Sequence, residues 1–249
     1  MPRWYFAFLV LVWGVTHAGA PELHFVGQYY PPFNWEENGA MRGAMVDVVR
    51  RACELQHVPC RFSQEPLARG IRMLQDGQVH GVMALIPNAE RAKYSTASPH
   101  LMYSMLAYAG SPQAPPLEGL NQLDQWTVGV VRASFSGSVA AQHKTKAVGM
   151  QLLDEVSNET LIRKLQGGRY GPQGAIFGAW DVLAFVAAHE GVSIKRLLDV
   201  QDQPFSVVWS NAGMGAAQQE SFNQTLRLML RKGEVQRLVA PYGLRPAAP

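Results

Sequence analysis

Two residues of opposite charge are candidates for binding a small polar molecule. Arg91 follows Glu90 in a polar run, and a guanidinium offers two parallel N–H donors that match a carboxylate. Asp181 stands immediately before an apolar stripe of helical spacing, and its carboxylate can accept hydrogen bonds from an ammonium group. Each residue also has a plainer interpretation, as a surface arginine and as a helix cap respectively. The pair predicts a binding site only if the fold brings both side chains to one cleft.

Four further residues could line such a site. Tyr30 offers an aromatic face that could cover an apolar or cationic group, although packing within its own loop is the alternative. Ser134 lies at a turn from a strand to a helix, where its hydroxyl and the following N–H groups could meet an anion. Phe135 follows it, and Trp35 is a candidate for the rim. For Asp47 we expect capping or bracing of its helix rather than ligand contact.

The generic catalytic and metal-binding motifs are absent from the sequence. It contains no Gly-x-Ser-x-Gly and no His-Glu-x-x-His. The run at residues 213–218 approaches a dinucleotide fingerprint but lacks its third glycine. The seven histidines have no ligand spacing, and two cysteines without a nearby histidine pair do not make a zinc site. We therefore expect no metal and no cofactor.

Composition is ordinary for a globular protein and excludes some partners. The chain has 249 residues, 16% of them charged, with a formal net charge of +3. Lysine and arginine form no run longer than a pair, whereas a nucleic-acid-binding surface needs a concentrated basic stripe. The length fits one large domain or two small ones.

The first twenty residues have the pattern of a secretory signal peptide. Arg3 gives a short positive region, residues 4–15 are almost entirely apolar, and residues 18–20 have the small-x-small form of a cleavage site. A membrane anchor is the alternative, but the apolar run is short for a span of about 20 residues. We expect a mature chain of residues 21–249 in the periplasm.

Cys53 and Cys60 are the two cysteines of the chain, and they are expected to meet an oxidising compartment after secretion. There such a pair predicts a disulfide, with two free buried thiols as the alternative.

Strand and helix patterns alternate along the mature chain. Apolar runs of strand length alternate with stripes at helical spacing, such as Met45, Val48, Val49 and Ala52. This alternation predicts an α/β fold with largely parallel sheets. A proline-rich connector at residues 110–116 and a polar stretch at residues 199–203 predict two crossings between domains.

The order and spacing of several motifs resemble the periplasmic solute-binding proteins of family 3, which serve transporters of polar amino acids. The resemblance covers nearly all of the mature chain, and no single motif decides it. The motifs are Tyr30-Pro31-Pro32-Phe33, Asn38-Gly39, Gly43 with Asp47, Gly77 to His80, Glu90-Arg91, Ser98-Pro99, Val128-Gly129-Val130 and Asp181 after Ala175-Ile176-Phe177. The spacing of Cys53 and Cys60 also matches a disulfide of some members.

The resemblance implies a type 2 periplasmic binding fold, with two α/β lobes, each a mostly parallel sheet flanked by helices, joined by two crossing strands. Lobe 1 would comprise residues 21–110 and 204–249, and lobe 2 residues 111–203. Arg91 would hold an α-carboxylate between the lobes, with Asp181 opposite it. The protein would then be a monomeric binding protein rather than an enzyme, closing on an amino acid or small carboxylate for an inner-membrane ABC permease.

Departures from the family pattern leave other functions open. The strand before Arg91 ends in residues 84–87 without a hydroxyl, where amino-acid binders commonly carry several. The ligand could therefore be a different small anion. A periplasmic dehydratase of the cyclohexadienyl type is one alternative, with Glu155 and Glu159 as the nearest acid or base. A sensor subunit for a membrane receptor is another.

Overall fold

The computed structural model describes residues 22–132 and 134–248. The strands, in chain order, are β1 Leu23–Gly27, β2 Trp35–Glu37, β3 Ala40–Arg42, β4 Cys60–Gln64, β5 Gly81–Leu85, β6 Ser95–Ala97, β7 Met102–Gly110, β8 Thr127–Val131, β9 Gln151–Glu155, β10 Gly174–Ala179, β11 Lys195–Ser210 and β12 Arg245–Pro246. The α-helices are α1 Ala44–Leu55, α2 Leu67–Gln75, α3 Phe135–His143, α4 Asn158–Gln166, α5 Trp180–His189, α6 Ala216–Arg231 and α7 Glu234–Val239. Short 3₁₀ helices cover Arg91–Lys93, Leu120–Leu123 and Ala240–Tyr242.

One large mixed sheet runs through the molecule in the order β4-β1-β5-β11-β7-β10-β8-β9. Strand β1 is parallel to β4 and to β5, and β8 is parallel to β9 and to β10. Between these two parallel groups the long strands β11 and β7 run antiparallel to each other. The expected α/β fold with parallel sheets joined by two crossing strands is confirmed.

The two crossing strands connect the two halves of the sheet. The C-terminal end of β11 pairs with β5 at Ser206 and beyond, whereas β10 pairs with β7 from Leu106 to Ala109. Lobe 1 therefore contains β1, β4 and β5, and lobe 2 contains β8, β9 and β10. The residues at which the chain passes from one lobe to the other stay predictions.

Each lobe has an aromatic centre. In lobe 1, Phe25 packs against Trp209 and Phe222, with ring centroids 6.0 and 6.4 Å away. In lobe 2, Tyr108 and Phe177 lie 4.4 Å apart. All five side chains are buried, and they belong to one apolar core that continues from lobe 1 into lobe 2.

Most predicted elements are present, and the exceptions lie at sheet edges and crossings. The apolar stripe of α1 is buried along its length, and α3 begins at the predicted turn. Strand β9, which forms the outer edge of the sheet in lobe 2, was not predicted. Strand β11 begins at Lys195, ten residues before the apolar stretch that predicts it.

The predicted disulfide is present, because the sulfur atoms of Cys53 and Cys60 are bonded. The predicted signal peptide lies outside the described residues. Within those residues, the structure contains no helix that is both long enough and apolar enough to span a bilayer.

Candidate functional site

The two crossing strands present a pair of buried polar residues between the lobes. Ser104 of β7 and Gln203 of β11 are direct partners in the antiparallel register. Directly opposed residues of an antiparallel pair project from the same face of the sheet. Ser104 is fully buried and Gln203 is only 4% exposed, so both side chains need protein or ligand partners.

Asp181 reaches this pair from lobe 2. It lies in the first turn of α5, and the Ser104 hydroxyl donates a hydrogen bond to its Oδ2 over 2.5 Å. Burial raises the pKa of the Asp181 carboxyl, while the bond from Ser104 acts in the opposite direction. The Asp181 side chain therefore faces the crossing strands from a partly desolvated position, as a ligand-facing acid would.

Tyr30 reaches the same point from lobe 1, in a loop held by the start of α1. The backbone N–H groups of Ala44 and Met45 donate to carbonyls of this loop. Gly43 makes that approach possible, because its φ is 120° and a Cβ would lie 2.4 Å from the Phe33 carbonyl oxygen. The Tyr30 ring stacks on Phe33 with centroids 5.5 Å apart.

The Tyr30 hydroxyl lies beside Gln203 and Asp181. Burial raises its pKa, a hydrogen bond with the Gln203 side chain opposes that shift, and the Asp181 charge adds to it. Four side chains thus converge, one from each lobe and two from the crossing strands. We call Tyr30, Ser104, Asp181 and Gln203 the cleft floor.

The cleft floor is not saturated with hydrogen bonds. The Oε1 atom of Gln203 is buried, and it has no hydrogen-bond partner within the described part of the chain. A carboxylate offers about four acceptor positions, and Ser104 occupies one of those on Asp181. The arrangement can therefore accept hydrogen bonds from a donor-rich group that enters between the lobes.

Arg91 opens the short 3₁₀ helix that follows β5 in lobe 1. Its Nη1 donates to the Ile86 carbonyl over 2.6 Å, and burial lowers the pKa of the guanidinium. Across residues 22–132 and 134–248 it forms no salt bridge and no hydrogen bond to Asp181. The structure thus leaves its remaining N–H donors available, and its predicted contact with a ligand stays a prediction.

A strained residue precedes that segment. Ala84, near the end of β5, has a φ of 50°, in the left-handed region that non-glycine residues rarely adopt. Such positions cost about 1–3 kcal/mol and concentrate at ligand sites. The departure noted at residues 84–87 therefore concerns backbone geometry as well as the missing hydroxyls.

Ser134 and Phe135 lie at the start of α3. The Ser134 hydroxyl donates to the Val131 carbonyl and accepts from the Gly137 N–H, so it is the N-cap of the helix. Phe135 is 44% exposed. Neither residue contacts the cleft floor through the hydrogen bonds or ring contacts of the described chain, and their ligand roles stay predictions.

Trp35 forms an aromatic contact between the lobes. Its ring lies 5.3 Å from that of Phe185 on α5, and 6.3 Å from that of Tyr242 near the C-terminus. The Tyr242 hydroxyl in turn donates to Asp47 over 2.6 Å, so Asp47 braces the lobe 1 side of this contact. The lobes therefore meet above the cleft floor in this structure.

Ser104 and Gln203 were missed by the sequence analysis. Ser104 is a polar residue inside an otherwise apolar strand, and that contrast is the signal that could have found it. Gln203 follows other polar residues of β11, so the sequence carries no such signal for it. No group of three or more potential metal ligands occurs within the described ranges.

Comparison with known proteins confirms the resemblance. The model of the bacterial extracellular solute-binding proteins, family 3, matches residues 25–245. A search of curated protein sequences found no match.

Solved structures of similar fold include both receptors and transport proteins. A histidine kinase sensor domain with similarity to periplasmic binding proteins has a TM-score of 0.76 at 16% identity, covering 92% of this chain and 99% of its own. The substrate-binding protein of an amino acid ABC transporter has a TM-score of 0.72 at 19% identity, and the match covers 89% of this chain and 99% of that protein. An ancestral arginine-binding protein bound to arginine has a TM-score of 0.74 at 20% identity, and the match covers 89% of this chain and 97% of that protein. At these identities the likeness shows the fold.

Proposed function

This chain belongs to the bacterial extracellular solute-binding proteins, family 3, and we propose from that premise that it binds an amino acid or a related small carboxylate between its two lobes. The observation that carries the proposal is the cleft floor, where Tyr30, Ser104, Asp181 and Gln203 converge from both lobes and both crossing strands. A ligand there would contact both lobes and both crossing strands, so its contacts would depend on how far the lobes have closed.

Within the site, Arg91 binds the ligand carboxylate and Asp181 binds its ammonium group. The guanidinium keeps N–H donors beyond the one committed to Ile86, and its partial burial strengthens a charge-assisted bond. Tyr30 covers one face of the ligand, and Trp35, Ser134 and Phe135 line the approach. The division of the chain into residues 21–110 with 204–249 and residues 111–203 supplies the two moving bodies.

Ligand binding stabilises the closed form. Contacts made to both lobes favour closure by as much as their affinity differs between the open and closed states. The Trp35–Phe185 contact spans the lobes, with ring centroids 5.3 Å apart. This contact supports a structure close to the closed form.

The closed protein delivers its ligand to an ABC permease in the inner membrane, as a monomer in the periplasm. The similar fold of an amino acid ABC transporter's binding protein supports this role. The similar fold of a histidine kinase sensor domain favours a second candidate, in which closure signals to a membrane receptor. Uptake of a bound radiolabelled amino acid, lost on deletion of the gene, distinguishes transport from sensing.

Isothermal titration calorimetry against the twenty L-amino acids and a set of small carboxylates tests binding directly. We expect one or a few amino acids to bind, and Arg91→Ala to weaken that binding at least about 100-fold, since a charge-assisted pair in a closing cleft is lost. Arg231→Ala, an exposed arginine on α6, is the control and should bind as the wild type does. Equal affinities for Arg91→Ala and the wild type would remove Arg91 from the site.

A dehydratase on the same fold is tested by turnover. Both Glu155 carboxylate oxygens accept from Lys164, over 2.8 and 2.6 Å, which supports a structural role for that residue. We expect the pure protein to leave prephenate and arogenate unchanged. Conversion of either compound would assign an enzyme instead.

A further inference from the structure

We propose that the side-chain carbonyl of Gln203, on crossing strand β11, accepts a hydrogen bond from an ammonium group of the ligand, and that with Asp181 it makes the site selective for primary ammonium ligands. This rests on the proposed function and adds to it a specificity-determining residue from the crossing strands.

The Gln203 Oε1 is a buried acceptor without a partner among the described residues, in a side chain that is 4% exposed. A buried polar atom left unpaired costs free energy, so natural proteins keep few of them. Gln203 lies directly opposite Ser104 in the register of β11 and β7, so its amide lies at the cleft floor. The carbonyl there can accept a hydrogen bond from an incoming donor.

A second buried glutamine shows what a structural amide looks like in this protein. Gln219, on α6 and 6% exposed, has both ends of its amide paired. Its Nε2 donates to the Met214 carbonyl over 2.8 Å, and its Oε1 accepts from the Thr96 hydroxyl over 2.7 Å. Gln203 differs from Gln219 in having one end unused.

The unused carbonyl is close to Asp181. Gln203 is the direct cross-strand partner of Ser104, and such partners have Cβ atoms about 4.5–5.5 Å apart. The Ser104 hydroxyl is bonded to Asp181, so the carboxylate and the amide oxygen flank the same serine. The two acceptors are thus both neighbours of Ser104, and they differ in charge.

The chemistry of this pair specifies the group that it can hold. One carboxylate and one amide oxygen are both acceptors, so the entering group must donate at least two hydrogen bonds and should carry a positive charge. A primary ammonium has three donors and one charge. A hydroxyl in the same position has a single donor, and it would leave the Gln203 carbonyl or the Asp181 carboxylate unpaired.

The test compares two methionine substitutions, Gln203→Met and Gln219→Met, in the full mature protein. Binding is measured by calorimetry with the twenty L-amino acids and, for each one that binds, the carboxylic acid that lacks its α-amino group. Thermal unfolding of the ligand-free variants reports stability. Methionine keeps the length of glutamine but can accept only weakly.

We expect Gln203→Met to weaken amino-acid binding about 10-fold or more, since a bond to a charged donor is lost. Affinity for the deaminated acid should change less than about threefold, and the melting temperature should stay closer to that of the wild type than the melting temperature of Gln219→Met does. Gln219→Met should lower the melting temperature further and leave affinity unchanged, because a fully paired amide is removed.

Two outcomes overturn the proposal in distinguishable ways. If the wild type binds no amino acid, the proposed function fails and this inference fails with it. If the wild type binds one and Gln203→Met binds it equally well, only the role of Gln203 is refuted. A larger fall in melting temperature for Gln203→Met than for Gln219→Met would also refute it, because it would show that Gln203 is structural.

Discussion

Two carboxylates of lobe 2, the buried Glu155 and the partly buried Asp181, differ in how completely they are paired. Glu155, at the end of β9 in lobe 2, is 4% exposed, and it accepts from Lys164 at both oxygens and from the Tyr170 hydroxyl over 3.2 Å. Asp181, in the cleft floor, accepts one hydrogen bond from the Ser104 hydroxyl and lies beside Tyr30. Each carboxylate thus accepts from a hydroxyl, but only Glu155 is also paired with a cation.

The difference indicates separate roles. A buried polar group whose partners are all present stabilises one arrangement of the chain, whereas a partly paired one keeps capacity for an incoming molecule. The Glu155 group lies within a single lobe. The cleft floor draws residues from both lobes and both crossing strands, so whatever completes it also fixes the lobes relative to each other.

Replacement of Asp181 by asparagine should have the largest effect, and it should act on binding. Asp181→Asn removes the charge that attracts an ammonium group, so affinity for the preferred amino acid should fall about 100-fold, equal to ~2.7 kcal/mol. Burial raises the pKa of Asp181, which means that folding disfavours its charged form, and this contribution to stability is lost as pH rises through the folded pKa. The variant should therefore be no less stable than the wild type at pH 7 in thermal unfolding without ligand. A clear loss of stability in Asp181→Asn would contradict the comparison, because it would show that Asp181, like Glu155, has a structural role.

The same substitution at Glu155 should act on stability. Glu155→Gln removes a buried negative charge that pairs with Lys164 and replaces one of its two acceptor oxygens by a donor, so the free energy of unfolding should fall by about 2 kcal/mol. Amino-acid affinity should stay within about twofold, by calorimetry. Glu190→Gln is the control, because it breaks the pair with the exposed Arg163 and should cost less stability than Glu155→Gln. A tenfold loss of affinity in Glu155→Gln would contradict the comparison.

The aromatic contact between the lobes tests whether closure depends on more than the cleft floor. Phe185→Leu removes the ring that packs 5.3 Å from Trp35, so the closed form should become less favourable by ~0.7 kcal/mol and affinity should fall about threefold. Small-angle scattering should show a larger radius of gyration for the ligand-free variant. Phe185→Tyr keeps the ring and should leave both quantities unchanged.

The smallest expected effect is on pH dependence, at a site away from the cleft floor. The His24 N–H donates to His80 Nδ1 over 2.9 Å, and burial lowers the pKa of both imidazoles. Protonation therefore favours the unfolded chain, so the contribution to stability is present above pH 6.5 and is lost as pH falls through the folded pKa values. This sign is opposite to that at Asp181.

A substitution at His80 separates the titration of the histidine pair from that of Asp181. His80→Asn keeps an acceptor for the His24 N–H but does not titrate, so denaturant unfolding between pH 7 and 5 should show a smaller loss of stability than in the wild type. Amino-acid affinity at pH 7 should be unaffected. An unchanged pH profile would assign the acid sensitivity to other groups.

The sequence predicted best the features that depend on local patterns. The strand at Thr127–Val131 and the helix after Ser157 were found because apolar periodicity and capping residues lie within a few positions of one another. It did not predict β9, whose edge position leaves Leu152 and Leu153 partly exposed and obscures the apolar pattern. Nor did it predict the full length of β11, because the polar residues 199–203 continue a strand where a crossing was expected.

The sequence alone determined the family, the alternation of strands and helices, the disulfide partners and the importance of Asp181 as a candidate. Only the tertiary structure decided what Asp181 faces. Ser104 lies 77 positions away along the chain and becomes its hydrogen-bond donor because β7 crosses between the lobes beside β11. Local propensity fixes where a strand or helix begins, but which buried polar atoms remain unpaired depends on side chains that only packing brings together.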